Sequence, residues 1–223
     1  MKKTMDSLVS GDRVEITSTD PGFPRDAAAW CNSTGNQLIS KETAGGKSVV
    51  VIEKGEPKSC NIVTSCEGKG KTFIMFSDDL DKALATFVLA NGAAATGQKV
   101  TIFFTFWGLN VIKKLHKPNV EKDIFGKMFG MMLPSSSRKL KLSKMSMGGI
   151  GGKMMRYIMN RKGIDSLESL RQQALENGVE FIACQMSMDV MGVKQEELLD
   201  EVTIGGVATY MERADNANIN LFI

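Results

Sequence analysis

Histidine is almost missing from this chain, and the one copy, His116, excludes several chemistries at once. A structural zinc site would need all four cysteines, and Cys31, Cys60, Cys66 and Cys184 stand at irregular spacings with no C-x-x-C pair. A Cys-His dyad would have to use His116, which lies among lysines in K-K-L-H-K-P and reads as a solvated surface residue. No metal and no cofactor are therefore expected. Long apolar runs are missing too. The longest, from Val100 to Ile112, is interrupted by threonines and a glycine and falls short of the roughly 20 residues a membrane helix needs. The first eleven residues are polar with no apolar core after their lysines, so no secretory signal is read and a cytoplasmic protein is expected. Net charge is +3 over 223 residues, too small to point to nucleic acid. The glycine run Gly148-Gly-Ile-Gly-Gly152 lacks the Lys-Ser/Thr ending of a phosphate loop and follows no strand.

Methionine is what the chain has in excess, with 15 residues. Many fall between Met128 and Met159, where basic residues such as Arg138, Lys139, Lys141, Lys153 and Arg156 are interleaved. That stretch suits a solvated flap with an apolar underside, a membrane-surface patch, or a docking face for an acidic partner.

The patterning divides the chain. R-V-E-I-T-S-T alternates as a strand, a helix runs from Arg25 to Thr34 and stops at Gly35, and two strands joined through A-G-G read as a hairpin. Residues 1–54 thus form one small domain. Residues 55–70 are rich in Gly, Ser, Lys and Pro, and read as a linker. From 71 to 223 the pattern changes: K-T-F-I-M-F-S and K-V-T-I-F-F-T are buried parallel strands flanking an Ala/Leu-rich helix, which Ser77-Asp78-Asp79 can cap. A helix capped by Ser166 precedes the strand V-E-F-I-A. K-Q-E-E-L-L-D and G-G-V-A-T-Y-M-E-R-A read as further short helices, and N-I-N-L-F-I as a terminal strand.

Cys184 ends V-E-F-I-A and opens a helix. In an open parallel sheet, ligands gather at the carboxyl ends of strands, and backbone N–H groups there favour a thiolate. Asp189 in the next turn works against this. Cys31 has no charged neighbour and reads as structural, while Cys60 and Cys66 fall in the linker.

The stretch F-I-A-C-Q-M-S-M-D-V-M-G (181–192), together with I-F-F-T-F-W-G-L-N (102–110) and E-E-L-L-D-E-V-T-I-G-G-V-A-T-Y, resembles the DsrE/DsrF-like family of sulfur-relay proteins. That resemblance implies an α/β fold: a three-layer, flavodoxin-related domain with a mostly parallel sheet. It also implies a homo-oligomer and a persulfide carried on Cys184. Gln185, Met186, Ser187, Trp107, Gly108 and Asn110 are the residues expected to line its pocket. Residues 1–54 resemble the later part of a TusA/SirA-like domain, a small two-layer α/β sandwich. The C-P-x-P motif of that family is not present, so an incomplete domain, and a fragment of a longer protein, are expected. Partners implied are sulfur donor and acceptor proteins or low-molecular-weight thiols, and a fused or associated pyridine-nucleotide disulfide reductase or rhodanese. A noncatalytic module docking onto such a partner is the alternative.

Overall fold

A computed structural model describes residues 4–5, 7–55, 70–116, 118, 120–122 and 124–223. Cys60, Cys66 and most of the expected linker lie outside the described residues. The chain forms two compact units: Met1–Glu67 with Gly205–Asn216, and Gly68–Ile204 with Ala217–Ile223.

In the first unit, β1 (Arg13–Ser18), β2 (Gln37–Ala44) and β3 (Lys47–Glu53) make an antiparallel sheet of order β1-β3-β2. The Lys47–Glu53 strand alternates strictly, so every second side chain is buried. Helix α1 (Phe23–Thr34) carries proline in its first turn, where no intrahelical N–H is lost, and Gly35 ends it. The core is small: Met5, Ala27, Cys31, Val50 and Ile52. A helix from far along the chain, Val207–Asp215, belongs to this unit and packs on α1. The Asp26 carboxylate accepts from Gly206 N–H at 2.9 Å and from the Thr209 hydroxyl. Asn32 donates to Glu212 at 3.1 Å. The sequence placed this helix simply within the segment from 71 onward.

In the second unit, β4 (Gly70–Met75), β5 (Val100–Phe104), β6 (Glu180–Cys184), β7 (Thr203–Gly205) and β8 (Ala217–Phe222) form a five-stranded sheet. Its order is β7-β6-β5-β4-β8, and the β8-β4-β5-β6 pairings are parallel. The expected fold class is what the structure shows: α/β, with a parallel sheet and a small antiparallel unit before it. All five residues of β5 are buried, as a central parallel strand requires. Helices α2 (Leu80–Ala95) and α5 (Leu167–Glu176) pack on each other over the core. Phe87, Phe104 and Phe181 meet there with centroids 5.4 to 6.4 Å apart, each fully buried ring contributing roughly 1.5–3 kcal/mol.

Local caps are mixed. Ser166 caps α5 by accepting from Ser169 N–H at 3.1 Å, as expected. Asp79 occupies the cap position of α2, but its carboxylate turns to Lys82 at 2.8 Å instead. K-Q-E-E-L-L-D is not an α-helix: only Gln195–Glu197 form a 3₁₀ turn, because Leu198 pairs with Lys113 as an antiparallel bridge.

Candidate functional site

Cys184 is the last residue of β6 and the cap residue of α6 (Gln185–Met191). Alternation along β6 puts Phe181 and Ala183 in the core under α2 and sends Cys184 to the opposite face with Ile182. The thiol is free and 3% exposed. Helix α6 has seven residues, so the expected help from a helix terminus comes from barely two turns. Phe104 stands opposite Ala183, which brings Thr105, at the next step of β5, level with Cys184. Thr105 and Ser187 share a hydrogen bond of 2.8 Å between buried hydroxyls, fastening the first turn of α6 to the end of β5. Gln185 donates to Asp189 at 2.9 Å, and Met186 is exposed.

The other expected pocket residues sit one strand away, on the 3₁₀ segment Phe106–Ile112. Gly108 N–H donates to Phe76 O at 2.9 Å, and a Cβ there would stand 1.9 Å from Met75 O, so only glycine fits. Asn110 is fully buried; it donates to Asp78 at 3.0 Å, while its Oδ1 has no partner among the described residues. Burial raises the Asp78 carboxyl above the usual carboxylate range, against the lowering effect of the Asn110 bond. Phe106 holds a φ of 47°, a left-handed conformation costly for a non-glycine residue.

The expected residues therefore fall into two groups on the carboxyl edge. Cys184, Gln185, Met186 and Ser187 gather at β5–β6 with Thr105; Trp107, Gly108 and Asn110 gather at β4–β5 with Asp78. Thr105 and Asp78 were not singled out by their sequence context, although Thr105 lies inside I-F-F-T-F-W-G-L-N. Asp78 was read only as a helix cap. His116 is exposed, as expected.

A cleft of about 970 Å³ opens beside the second group. Asp78, Phe106 and Trp107 form its sheet side, and Val190 and Met191 at the end of α6 close another wall. The outer wall comes from helix α3 (Ile124–Met132) and the segment after it, including Met131, Met132, Lys139 and Lys141. Gly192, in the left-handed region at φ 60°, lets α6 end against α3, since a Cβ there would stand 2.4 Å from the Gly126 Cα. Polar clamps hold the surrounding backbone. Arg171, buried, donates to Val111 O at 2.7 Å, and Lys113 donates to Pro134 O at 3.1 Å. Lys122 and Glu197 form an ion pair with both side chains almost wholly buried. Among the described residues, no group of three or more His, Cys, Asp or Glu could hold a metal ion, and no helix is long and apolar enough to cross a membrane.

Comparison with known proteins bears on this edge directly. A profile of the DsrE/DsrF/DrsH-like family matches residues 68–222. The uncharacterized protein YrkE of Bacillus subtilis is 44% identical over 155 residues, covering 70% of this chain and 97% of that one. The chain belongs to the DsrE/DsrF/DrsH-like family. A second relative of this DsrE-like region, the sulfur carrier protein DsrE2 of Allochromatium vinosum, is 38% identical over 161 residues, 70% of this chain and 99% of that one. Residues 1–54 match a profile described as sulfurtransferase TusA. There the sulfur carrier protein TusA of Allochromatium vinosum is 38% identical over 53 residues, 24% of this chain and 70% of that one. The DsrE-like match thus spans the sheet, Cys184 and the cleft, and the TusA-like match spans β1 to β3 with α1.

Proposed function

We propose that this DsrE-like chain relays sulfane sulfur, carried as a persulfide on Cys184. The observation that carries the reading is the place of Cys184: the carboxyl end of a central parallel strand, at the start of a helix, in a chain similar to a named sulfur carrier. In loading, the Cys184 thiolate attacks the outer sulfur of a donor persulfide RS–SH. The new bond joins Sγ to that sulfur, the donor's S–S bond breaks, and its electron pair leaves on RS⁻. The proton released by Cys184 is available to RS⁻, and nothing is oxidised or reduced overall. Unloading is the same step, with an acceptor thiolate attacking the carried sulfur. Donor and acceptor are other proteins or low-molecular-weight thiols. The TusA-like unit contributes docking in this reading, since its Cys31 is sealed in a core. A disulfide reductase or rhodanese partner, a homo-oligomer and a cytoplasmic setting complete it.

One observation favours a second reading. Cys184 is 3% exposed, which suits a noncatalytic module that docks onto a thiol-handling partner with Cys184 as a core residue. Intact-mass analysis after incubation with a sulfane-sulfur donor separates the two. The relay requires a gain of one sulfur atom in the native chain and none in Cys184→Ser; a gain that survives the substitution removes the assignment.

A further inference from the structure

We infer that the cleft between the sheet edge and α3 is a binding site for an amphiphilic organic anion: a flat or chain-like apolar body carrying a negatively charged group. Its volume, about 970 Å³, is at the upper end of the roughly 300–1,000 Å³ usual for small-molecule sites. Its walls suit such a body, with Phe106, Trp107 and Phe129 offering ring faces and Met131, Met132 and Met191 offering deformable thioethers. Trp107 is 45% exposed, and Phe106 stacks on it at 5.8 Å.

Charge decides the rest. Lys139 and Lys141 line the cleft, and neither pairs with a carboxylate among the described residues. The acids on the opposite side are already engaged: Asp79 with Lys82 and the Ser77 hydroxyl, Asp78 with Asn110. A cleft with aromatic and thioether walls and two lysines without carboxylate partners in its lining suits an anion with an apolar body better than an inorganic ion that cannot fill it.

Two fluorescent probes of nearly equal shape test the site: 8-anilinonaphthalene-1-sulfonate, an anion, and N-phenyl-1-naphthylamine, which is uncharged. The chain carries two tryptophans, so Trp30→Phe leaves Trp107 as the only energy donor. Binding in the cleft quenches Trp107. Lys139→Gln with Lys141→Gln weakens the sulfonate about three- to tenfold, the worth of two exposed charge pairs, and leaves the uncharged probe within about twofold. Lys144→Gln with Lys153→Gln, which are not wall residues, changes neither. Probe fluorescence without Trp107 quenching, or equal effects of the two lysine pairs, overturns the site. Cys184→Ser keeps the same probe affinity, so failure of the relay and failure of the cleft show up in different measurements.

Discussion

Cys31 and Cys184 are both free and both buried, yet their surroundings differ in kind. Cys31 sits in the middle of α1, closed in by Met5, Val50 and Ile52, and burial pushes its thiol up to about 11. Among the described residues, its core neighbours are apolar and offer no partner for an added sulfur. Cys184 ends a strand at the sheet edge where ligands of parallel α/β folds collect, with the bonded hydroxyls of Thr105 and Ser187 at its level. The contrast teaches that burial alone does not define an inert thiol. What matters is whether the residue is enclosed by one helix and its sheet or stands where a strand, a turn and a short helix can part.

The sharpest test of that contrast is labelling by site. A thiol at about 11 is ionised at only ~10⁻⁴ at pH 7, so Cys31 alkylates at least about a hundredfold more slowly than a free cysteine. Peptide-resolved alkylation with iodoacetamide is expected to show Cys184 ahead of Cys31; equal rates break the comparison and favour the docking-module reading. The same burial gives the TusA-like unit a pH dependence. Its folded thiol is raised from 9.0 to about 11, so the unfolded chain loses the proton first. The contribution is present below about pH 9 and is lost as pH rises toward about 11. Urea unfolding across that window shows the decline, and Cys31→Ala flattens it.

Polar clamps surround Cys184's edge, whereas the core around Cys31 is apolar. The strongest clamp is Lys122 with Glu197, whose Oε1 also accepts from Lys194 N–H at 3.0 Å. Lys122→Met leaves a buried carboxylate uncompensated and is expected to cost about 3–5 kcal/mol, read as a lower urea midpoint. Adding Glu197→Gln recovers part of the loss, because the amide oxygen still accepts from Lys194 without carrying charge. A loss below about 1 kcal/mol from Lys122→Met would mean the pair is not shielded from water.

How far these features were legible depends on sequence distance. The buried strands β4 and β5, the hairpin turning at Gly45 and Gly46, and the Ser166 cap are local patterns, and each appears where the residues placed it. Cys184 at a strand end was equally legible from V-E-F-I-A. Its near-complete burial was not, because that depends on what packs over the edge. Asp26 finds Gly206 and Thr209 about 180 positions away, and no pattern near either end announces it. The stretch from 107 to 162 offers no comparable local pattern. Its course is set by remote partners, such as Arg171 holding Val111 O and Leu198 pairing with Lys113.

The finest difference between the two cysteines is the hydroxyl pair. Thr105 and Ser187 are 82 positions apart and both almost inaccessible, so each hydroxyl depends on the other for its hydrogen bond. Thr105→Val removes one partner at nearly constant volume and leaves the Ser187 hydroxyl unsatisfied, at a cost of about 1–3 kcal/mol. Adding Ser187→Ala removes the orphaned hydroxyl, so the double variant is more stable than the sum of the single losses, with a coupling of about 1 kcal/mol in a double-mutant cycle. If the pair only stiffens the fold, alkylation of Cys184 follows the global unfolding free energy in all three variants. If it positions α6 over the thiol, Thr105→Val raises the Cys184 labelling rate under fully native conditions, while Cys31 labelling stays at its slow baseline.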